Sequence, residues 1–349
     1  MTPLEKREQA DNRRSLPAAL PHLIDFASND YLGLARSDKL KTLIAENIKD
    51  IRPLFGSTGS RLLTGNHPYI EHVEAKVAHF HGYEAALLFN CGYMANLGLL
   101  SSIAQKNDVV LFDTHIHASM RDGIALSKAQ AFPFKHNNLV HLEQRLKKTA
   151  AQRKIFICIE SIYSTDGAKS PWKDIKALAT QYGARLIVDE AHATGLFGEE
   201  GKGLTKKNYA HIVTCGKALG AQGAFVLCGQ DVKEHLINFA KPFIYTTALP
   251  LHVVATIDAS YSIFPNMHQE RAHVHDLMRT VNISSPIFPV KIPGNTAVKA
   301  YAKKLIAHGF DIRALTSPTV RQGNEILRIC LHAFNTKKEL CTLKSLLPA

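Results

Sequence analysis

The chain has 349 residues, 46% of them hydrophobic, so it can bury a large core and is neither disordered nor fibrous. Its 42 Lys and Arg against 30 Asp and Glu give a formal net charge of +12, which favours anionic partners. The positive charges are dispersed along the chain rather than gathered in one stripe, so no nucleic-acid partner is predicted.

The cysteines and the apolar segments indicate the compartment. The six cysteines are scattered without a CxxC pair, so we expect reduced thiols and no metal site. The N-terminus is charged, and the most apolar segment, 85–104, is interrupted by Asn and Gly residues. These features predict a cytoplasmic protein with no membrane partner.

The first part of the chain is predicted to form a helix or arm, then a short strand that leads into a polar turn at Asn29. A loop rich in Gly, Ser and Thr follows at 55–65. Such a loop could approach a phosphate or a carboxylate, but it is also typical of a plain linker. Apolar residues at helical spacing then predict a helix over 67–81.

Short runs of β-branched and aromatic residues come next, separated by amphipathic stretches. They lie at 85–90, 108–113, 129–134, 154–160, 185–190, 211–215 and 224–228. Continuous apolarity predicts strands covered on both faces, as in a mostly parallel α/β sheet with helices on both sides.

The last third of the chain has a different pattern. A long helical stretch is predicted from about 252 to 282, and strands and helices alternate over 286–349. We therefore divide the chain into an N-terminal arm, 1–35, a large domain, 36–250, and a linking helix with a small C-terminal α/β domain, 251–349.

Polar residues follow four of the predicted strands, where parallel α/β sheets bind their ligands. Gly92 and Tyr93 begin a predicted helix whose N–H groups would hold a phosphate. His117, Ser164 and His192 lie beyond three other strands. A single loop histidine is more often structural, but polar residues after four strands together indicate a site.

A lysine in a glycine-rich segment, TCGKALGAQG, suggests the chemistry of that site. Lysine is the usual amine nucleophile toward a carbonyl cofactor, and small neighbours leave room for an aldehyde at Lys217. A lysine beside glycine is also common in ordinary loops. The upstream segment IVDEAHATG supplies Asp189 and His192, and a pyridine cofactor needs both an acid and a hydrogen-bond donor. The two segments explain each other.

Several motifs together resemble the α-oxoamine synthases, a family within the fold-type-I pyridoxal-phosphate enzymes. These motifs are SNDYLGL, GSTGSRLLTG, HAS, STDG, DEAHATG, TCGKALG, YTTALP and SPTV, and they span 25–331. The loop GSxGSRLxxG is most similar to the biotin-pathway members. The resemblance implies pyridoxal 5′-phosphate (PLP) as cofactor and a homodimer with shared active sites.

The resemblance also implies a role for each site residue. Lys217 would carry the cofactor as a Schiff base and move the substrate α-proton, and Asp189 would pair with the ring nitrogen. His192 would bond the phenolic oxygen, and His117 would stack on the ring face. The other cofactor contacts would come from Gly92, Tyr93, Ser164, Thr214, Thr246 and Thr247.

The substrate contacts carry over in the same way. Arg328, with Asn29, would hold the amino-acid carboxylate, which suits the bidentate guanidinium. Thr319 and Arg13 would line the path of the acyl substrate, and His117 would contact the substrate as well.

The implied reaction is the decarboxylative condensation of L-alanine with a pimeloyl thioester of acyl carrier protein or CoA. Its products would be 8-amino-7-oxononanoate, CO2 and free carrier, in biotin biosynthesis. Three alternatives stay open. A serine- or glycine-using synthase or a 2-amino-3-ketobutyrate ligase would share the cofactor residues. A non-catalytic, partner-binding homologue and a basic nucleic-acid-binding protein are the others. The chain departs from the family pattern at Ile70, where a histidine is usual.

Overall fold

The computed structural model describes residues 1–18, 20–149 and 153–348. They form two compact units, of which the larger contains the described residues of Leu32–Tyr163 and Lys169–Arg271. The smaller unit contains the described residues of Met1–Tyr31, Ser164–Ala168 and Ala272–Ala349. Residues 19, 150–152 and 349, which the predicted domains include, lie outside the described residues. The limits of the arm and the two domains stay a prediction.

The elements are numbered along the chain. The strands are β1 (Ile24–Asp25), β2 (Ala85–Phe89), β3 (Val109–Asp113), β4 (Gln130–Phe134), β5 (Ile155–Glu160), β6 (Arg185–Asp189), β7 (Ala210–Thr214), β8 (Ala224–Cys228), β9 (Ile287–Lys291), β10 (Phe310–Asp311), β11 (Arg313–Leu315) and β12 (Ile326–Cys330). The helices are α1 (Pro3–Gln9), α2 (Asp38–Asn47), α3 (Pro68–His81), α4 (Gly92–Ile103), α5 (Ala118–Leu126), α6 (Leu139–Lys147), α7 (Trp172–Gln181), α8 (Gln230–Phe239), α9 (Lys241–Ile244), α10 (Leu251–Ile263), α11 (His268–Thr280), α12 (Asn295–Ala307) and α13 (Lys337–Ser345).

Seven strands of the larger unit form one sheet in the order β2-β8-β7-β6-β5-β3-β4. Strand β8 runs antiparallel to both of its neighbours, and the other pairings are parallel. Strands β2, β5, β7 and β8 are buried along their whole length, as their continuous apolar runs predict. The predicted mostly parallel α/β sheet is confirmed.

Helices cover this sheet and build its core. Leu142 and Leu146 of α6 and Ile175 of α7 pack with the apolar side chains of β3, β5 and β6. Helix α4 packs against β7 and β8. The predicted helix over 67–81 is α3, in which the side chain of His67 accepts a hydrogen bond from the Tyr69 N–H at 3.1 Å. The helix ends at Gly82, whose φ of 72° is easiest for glycine.

The smaller unit contains two small sheets. Strand β12 lies between β11 and β9 and is antiparallel to both. Strand β1 pairs in parallel with β10, so residues near the two ends of the chain share a sheet. Helix α12 packs against β10, β11 and β12.

The prediction of one long helix over 252–282 is wrong. The segment forms two helices, α10 and α11, separated by the 3-10 turn Phe264–Asn266. Pro265 lies in this turn, and a proline that lacks an N–H and has a fixed φ ends an α-helix. Among the described residues, none of the helices has both the length and the apolar character that crossing a bilayer requires.

Candidate active site

Two loops of the larger unit place a lysine and a histidine side by side. His192 follows β6 and Lys217 follows β7, and these two strands are parallel neighbours. The Nζ atom of Lys217 lies 2.8 Å from Nε2 of His192. His192 is buried, whereas Lys217 is partly accessible. The carboxyl ends of the two strands therefore bring together an amine and an imidazole that the sequence assigns to one site.

Asp189 is the last residue of β6 and is buried. Its Oδ1 accepts a hydrogen bond from the Ala191 N–H at 2.9 Å. Its Oδ2 accepts one from Nδ2 of Asn96 at 2.7 Å. Each oxygen of the carboxylate thus has a donor, and the two donors hold the group in one orientation.

His117 caps the N-terminus of α5 and belongs to the same electrostatic environment. Its ring has an accessible surface, but the surrounding protein makes charging it costly, which lowers its pKa. Asp189 and Asp122 oppose this shift in the pKa, whereas Lys217 adds to it. Nδ1 of His117 is linked to Asp189 through Ser119 and Asn96, so the ring lies near the predicted site.

The start of α4 is suited to an anion. Gly92 is its first residue, and the side chain of Cys91 at the N-cap makes no capping hydrogen bond. A Cβ atom on Gly92 would lie 3.4 Å from Oγ1 of Thr214, so the start of α4 lies beside that hydroxyl. The structure thus brings together Gly92, Tyr93 and Thr214, the residues predicted at a phosphate.

The segment with Thr246 and Thr247 lies against the Gly/Ser/Thr-rich loop. Thr247 forms an antiparallel bridge with Ser60, and its carbonyl accepts a hydrogen bond from Nδ2 of Asn90 at 3.0 Å. A Cβ atom on Gly65 would lie 2.3 Å from the Gly59 carbonyl oxygen, so this close approach requires glycine.

A buried acid holds the same loop in place. Oε1 of Glu74, which is 1% exposed, accepts a hydrogen bond from Nη1 of Arg61 at 2.8 Å. Its Oε2 lies 3.1 Å from Nζ of Lys233. A buried carboxylate with two cationic partners is costly to disturb, so the loop is anchored to the body of the larger unit.

In the smaller unit, the guanidinium of Arg328 contacts two other predicted site residues, Ser164 and Asn29. The Nε of Arg328 donates to the Ser164 carbonyl at 2.8 Å, and Nη2 donates to Oδ1 of Asn29 at 3.0 Å. The Nη1 group donates to Sγ of Cys330 at 3.1 Å. Ser164, predicted at the cofactor, contributes its carbonyl to the orientation of Arg328.

The arm residue that contacts Thr319 in the structure is Arg14. Nη2 of Arg14 donates to Oγ1 of Thr319 at 3.1 Å. Arg13 instead pairs with Glu8 at 3.1 Å, and both of these side chains are exposed. Arg14 is thus the arm residue that contacts a predicted acyl-path residue, and it was missed because neighbouring arginines are indistinguishable in the sequence.

The sequence analysis assigned no role to four further residues around these groups. Asn96 bonds Asp189, and Ser119 lies 2.7 Å from Nδ1 of His117. Asp122 accepts a hydrogen bond from the Tyr93 hydroxyl. Cys330 contacts Arg328. Asn96 had a usable signal, since a lone amide within an apolar helix is costly to bury without a partner.

Comparisons with known proteins identify the family of this chain. Residues 21–343 match the family model described as aminotransferase class I and II. The chain belongs to this family. It is 35% identical to 8-amino-7-oxononanoate synthase from Emericella nidulans, with 97% of this chain and 91% of that protein covered.

Two solved structures are similar to the chain over most of its length. One is the 8-amino-7-oxononanoate synthase of Francisella tularensis, with a TM-score of 0.79, 28% identity and coverage of 93% and 96%. The other is a serine palmitoyltransferase from S. paucimobilis with a bound PLP–myriocin aldimine, with a TM-score of 0.88, 26% identity and coverage of 93% and 86%. The predicted family, fold class and PLP cofactor are confirmed.

The residues of the larger unit fit the cofactor of this family. PLP carries an aldehyde, a ring nitrogen and a phosphate, and the described residues offer an amine, a buried carboxylate and a helix N-terminus without a side-chain cap. Each group of the cofactor therefore has a chemical counterpart among Lys217, Asp189 and the start of α4. The individual roles of the site residues stay predictions.

Proposed function

We propose that the chain is an 8-amino-7-oxononanoate synthase, which condenses L-alanine with a pimeloyl thioester. The observation that supports it is the contact of Lys217 with His192 at 2.8 Å, beside Asp189, in a chain that resembles this enzyme over nearly its whole length. The reaction forms a bond between Cα of alanine and the thioester carbonyl carbon, and the thiol leaves. The alanine carboxylate leaves as CO2.

PLP, when bound, supplies an electrophilic carbonyl and an electron-withdrawing ring. Lys217 would bind it covalently and, once released, would take the α-proton of alanine at Nζ and later return a proton. Asp189 would hold a proton at the ring nitrogen. His192 would donate to the phenolic oxygen, and His117 would lie on the ring face.

The remaining cofactor contacts are part of the same proposal. Gly92, Tyr93 and Thr214 would bind the phosphate through backbone and hydroxyl donors. Ser164 would contribute a further contact. Thr246 and Thr247 would reach the phosphate at the site of a second copy, which makes the active enzyme a homodimer.

The substrate carboxylate would bind Arg328. Its guanidinium is oriented by Asn29, Cys330 and the Ser164 carbonyl, so little rotamer entropy remains to be lost when a carboxylate binds. Thr319, with Arg13 and Arg14 of the arm, would line the acyl path. The carrier would be acyl carrier protein or CoA, and the enzyme would work in the cytoplasm in biotin biosynthesis.

A serine-using synthase is the second candidate. The similarity to serine palmitoyltransferase has a TM-score of 0.88, against 0.79 for the similar synthase structure. Such an enzyme would use the same cofactor residues with a different amino acid and acyl chain. The two candidates therefore differ in substrate and share the site described above.

The deciding experiment is a titration of the purified, PLP-loaded chain with L-alanine, glycine and L-serine, followed by pimeloyl-CoA and pimeloyl carrier protein. Saturation of the visible absorbance change by alanine at the lowest concentration, with thiol release from pimeloyl thioester, supports the proposal. A preference for serine favours the second candidate. Absence of PLP uptake contradicts both. The exposed variant Lys206→Ala is the matched control and should behave like wild type.

A further inference from the structure

A chain of hydrogen bonds that passes through two buried side chains connects two residues of the proposed cofactor site. Nδ2 of Asn96 lies 2.7 Å from Oδ2 of Asp189 and 3.0 Å from Oγ of Ser119. Oγ of Ser119 lies 2.7 Å from Nδ1 of His117. Asn96 and Ser119 are 1% and 0% exposed, so the hydrogen bonds from Asn96 to Asp189 and to Ser119 are shielded from water, whereas His117 at the end of the hydrogen-bond chain is exposed.

The chemistry of the groups gives this chain one direction. An amide nitrogen only donates, and Asn96 uses its two N–H groups for Asp189 and Ser119. Oγ of Ser119 therefore accepts from Asn96, and its O–H is left to donate to Nδ1 of His117, 2.7 Å away. The backbone N–H of Ser119 also donates to Nδ1, at 3.2 Å.

The orientation of the Asn96 amide follows from its partner. Rotating the amide by 180° would place Oδ1 against Oδ2 of Asp189, so that two acceptors would face each other. In the present orientation Oδ1 of Asn96 has no hydrogen-bond partner among the described residues. The amide gives up one acceptor contact and keeps its donor to the carboxylate, which is the stronger of the two interactions.

We propose that Asn96 is a positioning residue that, through Ser119, holds His117 as the neutral imidazole with its proton on Nε2. Two donors directed at Nδ1 leave that nitrogen unprotonated, so Nε2 carries the N–H. The same amide orients Asp189. Asn96 on α4 thus orients the Asp189 carboxylate toward the place of the cofactor's ring nitrogen and, through Ser119, fixes the tautomer of the His117 imidazole at the ring face.

This assignment determines what His117 can do. A neutral imidazole can lie on an electron-poor ring without adding a positive charge, and its Nε2–H can donate to an oxygen of the substrate. The role at the cofactor rests on the proposed function, whereas the tautomer is a property of the chain itself.

The test uses the full chain labelled with ¹⁵N-histidine, measured with and without added PLP. Nitrogen spectra distinguish the two neutral tautomers and the imidazolium, and His117→Gln identifies the signals of His117. We expect the Nε2–H tautomer at pH 7 in the wild-type chain. An Nδ1–H tautomer or an imidazolium in the wild type overturns the proposal, and neither result depends on substrate or on PLP uptake.

Two variants test the Ser119 and the Asn96 hydrogen bonds separately. Ser119→Ala removes the hydroxyl donor and should move the His117 signals. PLP affinity should stay within about twofold, because Asp189 retains its hydrogen bond from Asn96. Asn96→Asp replaces the amide donor to Ser119 with an acceptor and puts a second acid beside Asp189. It should increase the Nδ1–H form and weaken PLP binding about tenfold or more.

Ser102→Ala is the matched control, because Ser102 is a buried serine of α4 whose hydroxyl donates only to the backbone carbonyls of Gly98 and Leu99 among the described residues. It should change neither the His117 signals nor PLP affinity. If Ser119→Ala leaves the His117 nitrogen signals in place, or if Ser102→Ala moves them equally, the proposal is wrong.

Discussion

Lys217 and His192 share a hydrogen bond of 2.8 Å between Nζ and Nε2. Their positions follow from the pairing of β6 with β7, in which Asp189 lies opposite Ile212. The turn after each strand then extends from the same edge of the sheet. The imidazole is thus directly beside the amine that we propose to bind the cofactor.

Replacing the amine should abolish covalent cofactor binding. Lys217→Ala removes the nucleophile, so the visible absorbance that borohydride reduces should disappear and synthase activity should fall by several orders of magnitude. Absorption spectra before and after borohydride check this. The exposed Lys206→Ala variant should retain both signals, and a covalent cofactor in Lys217→Ala would contradict the role of Lys217.

Arg328 should control the amino-acid substrate rather than the cofactor. Arg328→Ala should raise KM for the amino acid at least about tenfold, because a charge-assisted contact is lost, and should leave PLP content unchanged. Cys330→Val should give a smaller increase of about fivefold by removing an acceptor from Nη1.

Cys330→Ser is the control for this pair of variants, since a hydroxyl can still accept from Nη1 of Arg328. Steady-state kinetics and cofactor content on the same preparations provide the readout. Loss of PLP from Arg328→Ala would mean that the arginine serves the cofactor.

The arm should act through Arg14. Arg14 contacts Thr319 and Arg13 pairs with an exposed glutamate, so Arg14→Ala should raise KM for the pimeloyl thioester about two- to tenfold. Arg13→Ala, at the neighbouring residue, is the control and should change the KM for the pimeloyl thioester little. Both variants should keep the wild-type KM for alanine. An equal or larger effect of Arg13→Ala would favour Arg13, the residue that the sequence predicts.

The larger unit should lose stability in mild acid because it buries neutral imidazoles. Burial lowers the pKa of His211 well below the ordinary value of 6.5 and lowers the pKa of His81 to about 3. The unfolded chain protonates both groups near 6.5, so it binds more protons than the folded chain below that pH. Stability should therefore be fully present above about pH 6.5 and fall steadily toward pH 3.

Urea denaturation midpoints at pH 8 and pH 5 check this prediction. His211→Gln should lower the midpoint at pH 8 and lose less than the wild type on acidification, because it removes one group that titrates only after unfolding. His308→Gln, at an exposed histidine, should follow the wild type. An unchanged pH dependence in His211→Gln would show that other groups cause the acid loss.

Much of this protein could be predicted from the sequence because the signals are local. The buried strands are continuous apolar runs, so their number and their mostly parallel order could be inferred before the structure. Lys217, Asp189 and His192 stand at strand ends inside specific motifs. Pro265 is a local signal for the break between α10 and α11, since proline ends a helix, and the prediction of one continuous helix neglects it.

The tertiary structure alone decided which distant side chains meet. Asn96 and Asp189 are 93 positions apart, and Arg14 and Thr319 are 305 apart, so no local pattern relates either pair. The packing of α4 against the sheet directs the Asn96 amide to Asp189, and the docking of the arm within the smaller unit selects Arg14 over Arg13. The sequence determined the strands and the reactive groups, whereas packing decided their hydrogen-bond partners, because such partners depend on distances that only the folded chain defines.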